Sequence, residues 1–196
     1  MYFRPTGQSL VSTEDGPGEA SEFPVGTPTI PPVVAILDGV PNLLHEALKD
    51  RLLLDDPDNL EALYQPGERR HGSSMASLVV HGELDANDGI PLTRQVYHRP
   101  ILQPDQNTKN HDEHVPENIF LEDRVHTAVR RMFERIGDVA AQAPGVKIIN
   151  FSIGDPSRPF IHTPSPLARL LDWLSWKYRV LFCVSAGNFS DDIELN

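Results

Sequence analysis

Val33-Val34-Ala35-Ile36-Leu37-Asp38-Gly39 is the stretch on which the reading of the fold turns. Five apolar residues in a row follow the double proline Pro31-Pro32, and a carboxylate and a glycine end the run. A strand with one wet face alternates apolar and polar residues. An unbroken apolar run of this length predicts a strand covered on both faces, as in a parallel sheet. Further strands are predicted over 94–102, 146–151 and 180–184. Helices are predicted near 43–48, over 72–80, over 121–143 and over 167–178. In the third of these, Leu121, Val125, Val129, Met132 and Ile136 recur at spacings of three and four, and Pro144-Gly145 ends the pattern. Strands alternating with helices predict an α/β fold, a doubly wound, mainly parallel sheet flanked by helices.

Composition narrows the function. The chain has 196 residues, with 17 Lys plus Arg against 28 Asp plus Glu and a formal net charge of −11. Phosphates would repel so acidic a chain, which argues against a general role on nucleic acid or an anionic membrane. Hydrophobic residues make up 39% and charged residues 23%, enough for one core. No apolar run is long enough to span a bilayer, and residues 1–10 lack the layout of a signal peptide. A single cysteine, Cys183, excludes an internal disulfide and a Cys-based zinc cluster. A soluble, cytoplasmic protein is expected. Residues 1–30 are expected to form a Pro-rich tail or linker, and residues 31–196 the folded domain; Pro5, Pro17, Pro24 and Pro28 punctuate the first part.

In parallel α/β sheets the functional site lies beyond the carboxyl ends of the strands. Three predicted strands end in suggestive turns: Leu37-Asp38-Gly39, Asn150-Phe151-Ser152-Ile153-Gly154 and Val184-Ser185-Ala186-Gly187-Asn188. His71-Gly72-Ser73-Ser74-Met75-Ala76 opens a predicted helix between the first and second. An Asp here could simply cap a turn, a His could sit at a helix start, and an Asn could hold a left-handed turn.

Taken together, these four segments resemble the subtilisin-like serine peptidases (subtilases, peptidase S8 family). Asp38 takes the place of the family's aspartate, with His45-Glu46-Ala47-Leu48 at the expected distance after it. The turn differs, with Gly39 where Ser or Thr is usual and Val40 where Gly is usual. His71-Gly72-Ser73 with Ala76 resembles the family's His-Gly-Thr-x-x-Ala. Asn150 to Gly154 resembles Asn-x-Ser-Leu-Gly, the edge strand that pairs with extended substrate backbone. Ser185-Ala186-Gly187-Asn188 resembles Ala-Ala-Gly-Asn.

The resemblance implies roles. His71 would be the general base toward a serine hydroxyl, Asp38 would fix its tautomer, and Asn188 would bind the oxyanion. Ser152, Ile153, Gly154, Ser185, Ala186 and Gly187 would hold an extended peptide or protein substrate. No cofactor is implied; some subtilases bind calcium, but no ligand set here maps onto such a site.

The family's serine follows the oxyanion Asn in a Gly-Thr-Ser-Met-Ala-like motif, which these 196 residues do not contain. Gly72-Ser73-Ser74-Met75-Ala76 imitates it, but Ser74 lies three residues after the base on the same predicted helix, a poor placement for attack through that imidazole. The chain is therefore expected to be the front part of a serine endopeptidase domain, inactive alone and associating with itself through exposed sheet edges. The alternative is a non-catalytic subtilase-like module that binds extended peptides.

Three lesser features carry expectations too. His111-Asp112-Glu113-His114 reads as a solvated loop rather than a metal site. Arg69-Arg70 reads as a solvated pair. Cys183, Trp173 and Trp176 read as core or helix-packing residues.

Overall fold

The apolar run at 33–37 is the central strand of a five-stranded parallel sheet. The computed structural model describes residues 6–7, 27–82, 90–109, 111–116, 118–154 and 163–185. In chain order the elements are β1 (Thr6–Gly7), β2 (Val34–Asp38), β3 (Leu52–Leu54), α1 (Arg70–His81), β4 (Val96–Pro100), β5 (Gln103–Pro104), β6 (Glu113–His114), α2 (Leu121–Phe133), β7 (Ile148–Phe151), β8 (Ile153–Gly154), α3 (Pro166–Tyr178) and β9 (Leu181–Val184). The large sheet runs β3-β4-β2-β7-β9, and every pairing in it is parallel. A small antiparallel sheet runs β5-β6-β1-β8.

Alternation along β2 explains the layers. Ala35 and Leu37 point to one face and pack with Val125, Val129 and Met132 of α2 and Leu174 of α3. Ile36 points to the other and packs with Ala76 and Val80 of α1. Ala35, Ile36 and Leu37 are fully buried, so a polar residue on either face would meet apolar neighbours. The architecture is α/β, a mainly parallel sheet with helices on both faces.

Local physics set the differences from expectation. Residues 43–48 form turns, not a helix: Pro41 precedes them, Leu44 is exposed, and only Ala47 and Leu48 reach the core. So short a stretch cannot offset the cost of nucleating a helix. The helix expected over 121–143 ends at Phe133, because Ile136 and Val139 bond each other across a tight turn in which Gly137 takes a φ of +59°. Apolar residues of a small hairpin had continued the helical spacing by coincidence. The strand Leu52–Leu54 follows Asp50, whose φ is +61°. Within the stretch read as a tail, Thr6–Gly7 adds a strand between β6 and β8, antiparallel to both.

A buried ionic group ties α2 to the sheet. Arg131 Nε donates to both carboxylate oxygens of Asp55 (3.0 and 2.7 Å), and Tyr97 Oη donates to the same carboxylate at 2.5 Å. Arg99 and Arg124 both pair with Asp58. Among the described residues, no helix is long and apolar enough to cross a membrane.

Candidate active site

The carboxyl end of β2 and the first turn of α1 meet at one point. Asp38 is the last residue of β2 and is fully buried. Its Oδ1 accepts the Gly39 backbone N–H at 2.6 Å and lies 2.7 Å from His71 Nδ1. His71 is the second residue of α1 and is itself buried. A proton on Nδ1, donated to Asp38, leaves Nε2 as the ring's acceptor, the arrangement a general base requires.

Close contact makes this meeting exact in register. A Cβ on Gly72 would fall 2.4 Å from Gly39 O, so only glycine lets α1 approach the turn after β2. Ser73 Oγ, one residue on, accepts the Asn42 N–H at 2.8 Å and donates to Arg69 O. That hydroxyl stitches helix to turn. Among the described residues, no serine hydroxyl bonds to His71, and Ser74 shares its helix.

A third titratable group completes the cluster. Glu113 of β6 is buried, and facing atoms of Asp38, His71 and Glu113 all lie within 4.8 Å of one another. Tyr64 Oη lies 2.7 Å from Glu113 Oε1 and 3.0 Å from Leu102 O. From β4, His98 Nε2 donates to Gly39 O at 2.7 Å. Asp38 Oδ2 and His98 Nδ1 are buried without a hydrogen-bond partner.

Burial and charge act on these groups in different directions. Burial pulls the His71 imidazole down, but the hydrogen bond and charge of Asp38, with the Glu113 charge behind them, outweigh it and leave its pKa raised. Burial, then repulsion by Asp38, pushes the Glu113 carboxyl up to about 7, against the Tyr64 hydrogen bond and the His71 charge. Burial also pushes the Tyr64 phenol up and the His98 imidazole down. His98 is therefore a neutral donor to the turn. Two carboxylates and an imidazole could also serve a hard divalent cation. However, His71 Nδ1 already faces Asp38 Oδ1 at hydrogen-bond distance, so a cation on those atoms would have to displace that bond.

The other expected residues lie at neighbouring strand ends. Ser152 separates β7 from β8, and its hydroxyl donates to Asn150 Oδ1 at 3.1 Å. Ile153 and Gly154 form β8, whose partner is β1. Ser185 follows β9, and its N–H donates to Phe151 O at 3.3 Å, which brings it beside the Ser152 turn. Ala186, Gly187 and Asn188 lie outside the described residues.

Two minor expectations are corrected. The stretch at 111–114 is not a solvated loop: Glu113 and His114 are buried in β6, and His111 Nδ1 pairs with Glu68. The pair at 69–70 is not simply solvated, since Arg69 binds Glu61 at 2.9 Å and Arg70 Nε donates to Gly67 O at 3.1 Å. Glu113 and Tyr64 are the site residues that sequence reasoning missed. Glu113 stands in the His111-Asp112-Glu113-His114 run, which reads as solvated, and Tyr64 stands in no pattern; each reaches the site only through tertiary contacts. No protein-family model matches the chain, and no curated protein matches it.

Proposed function

We propose that this chain carries the Asp–His part of a subtilisin-type serine endopeptidase site. The observation that supports it best is the 2.7 Å contact of His71 Nδ1 with Asp38 Oδ1, buried at the carboxyl end of the central strand. In this reading His71 Nε2 takes the proton of the serine hydroxyl that the family carries in its Gly-Thr-Ser-Met-Ala-like motif. The hydroxyl oxygen attacks the scissile carbonyl, and His71 then gives the proton to the leaving amine. Asp38 holds the ring in one tautomer and stabilises the imidazolium that forms between these steps. Asn188 would donate to the oxyanion, and the Ser152-Ile153-Gly154 edge would pair with extended substrate backbone.

The second reading is a peptide-binding module without catalysis. It is favoured by the β8 edge, which already accepts an extended segment, Thr6–Gly7, in antiparallel register. A peptidyl chloromethyl ketone separates the two. On the peptidase reading, His71 Nε2 displaces chloride from the bound reagent and becomes alkylated at that nitrogen, and His71→Ala abolishes the label. Peptide binding with no label on His71 would favour the module, and neither binding nor label would overturn both.

A further inference from the structure

Glu113 stands where a side chain at position 39 would otherwise be. A Cβ built on Gly39 falls 1.6 Å from Glu113 Oε1 and 2.9 Å from Tyr64 Oη. The glycine beside Asp38 is thus a vacated space, and the carboxyl of a residue 74 positions along the chain fills it. The same carboxyl lies within 4.8 Å of facing atoms of Asp38 and His71.

Hydrogen-bond counting says which form the carboxyl takes. A phenol has one proton to give. Tyr64 Oη is within bonding distance of two acceptors, Glu113 Oε1 at 2.7 Å and Leu102 O at 3.0 Å. Both contacts are fully satisfied only when Glu113 carries a proton and donates it to Tyr64 Oη, while Tyr64 donates to the Leu102 carbonyl. Removing that proton turns the phenol toward Glu113 and places a second carboxylate beside Asp38, whose Oδ2 is buried without a partner. Each state therefore has its own hydrogen-bond pattern, and in both the Glu113 carboxyl is buried.

We propose that Glu113 is a positioning residue for the base: seated on Gly39 and held by Tyr64, its carboxyl shares the charge of the Asp38–His71 pair and sets how tightly His71 holds a proton. Ionised Glu113 favours the imidazolium, and protonated Glu113 favours the free base. The titratable groups facing it are Asp38 from β2, His71 from α1 and Tyr64 from the loop before α1. His98 from β4 lies just beyond, on Gly39 O. A carboxyl pushed up to about 7 changes charge in the range where an imidazole does, so the two protons are coupled. The proposal rests on the reading of His71 as a base.

The test is an NMR titration of the His71 ring in the full chain, with its signals assigned by their loss in His71→Asn. In the unsubstituted protein the curve is expected to show two inflections. In Glu113→Gln one inflection is expected to remain, moved down by about 1 pH unit through loss of the neighbouring charge. Tyr64→Phe keeps the carboxyl but removes the phenol that supports its anion, so it is expected to move the second inflection to higher pH. A single-step curve in the unsubstituted protein would overturn the proposal even if a variant fails to fold. An unchanged curve in folded Glu113→Gln would do so as well. The titration needs no substrate, so coupled curves with no alkylation of His71 would sink the peptidase reading and leave the coupling standing.

Discussion

Gly72 is the narrowest point of the site, and its substitution is the sharpest test of the site's geometry. The atom nearest a Cβ there is backbone, Gly39 O at 2.4 Å, so no side chain can swing away to make room. Gly72→Ala must push α1 off the turn that carries Asp38. The expected cost is about 2 kcal/mol, as for other overpacked sites, read as a lower urea midpoint. An unchanged midpoint would mean that the helix does not bear on the turn. Glu113 gives a pH signature of opposite kind to an ordinary carboxylate. Its folded value is raised to about 7 from 4.5, so the folded state binds more protons between those values and this group's contribution to stability falls as pH rises through that window. His71, also raised, adds stability that is present below 6.5 and lost as pH rises through its folded value. His98, lowered by burial, acts the other way, its contribution being lost as pH falls below 6.5. Glu113→Gln removes the first term and, by taking away one of the charges that raise His71, shrinks the second in the same direction. The variant is therefore expected to gain on the unsubstituted protein from pH 5 to pH 8, by up to about 3 kcal/mol. Parallel stability curves across that range would show that Glu113 is not raised.

Helix ends give the cleanest tests of the elements that hold the site. Ser165 caps α3, its Oγ accepting from Ala168 N at 3.1 Å, with Pro166 in the first helical turn. Ser165→Ala is expected to cost about 1 kcal/mol. At the other end Arg179 takes a φ of +56°, a conformation that glycine adopts without strain. Arg179→Gly is expected to stabilise the chain by roughly 0.5 kcal/mol, and a loss of stability would mean that the arginine side chain matters more than its backbone. These elements were legible where one local rule governed them. The apolar run of β2, the helix signals over 72–80 and the amphipathic stretch of α3 each carry their own determinant. Rules failed where two patterns overlap: Ile136 and Val139 satisfy helical spacing while Gly137 turns the chain into a hairpin. Asp38 and His71 were legible because strand end and helix start are local features with a known order. Glu113 was not, because its role comes from the space left by Gly39, and no spacing in the chain encodes which distant side chain will fill it.

The open side of the sheet decides how the chain behaves in solution. Among the described residues β9 is an outer strand, and unlike β2 it is mostly exposed: Leu181 is 62% and Val184 47% accessible. Cys183 is exposed there, not a core residue, because no described element packs over its face of β9. Trp176 is 66% and Trp173 43% accessible on the adjoining α3, so neither is a core residue, although the Trp173 ring packs 5.8 Å from that of His126 on α2. A groove of about 480 Å³ runs between α3 and β9, lined by Leu171, Leu181, Phe182 and Val184 among others. An unpaired strand edge beside apolar side chains templates pairing with another copy of itself, since each copy supplies both unpaired backbone groups and an apolar face. Self-association that rises with concentration is therefore expected in sedimentation velocity. Leu181→Lys places a charge on that edge and is expected to shift the distribution toward monomer, because pairing would then bury the ammonium. The substitution lies on the far side of β7 from the Asp38–His71 contact, so the His71 titration is expected to stay where it was. A chain that sediments as a monomer at all concentrations would show that β9 is covered in solution, and a shifted titration in Leu181→Lys would show that the edge and the site are coupled through β7.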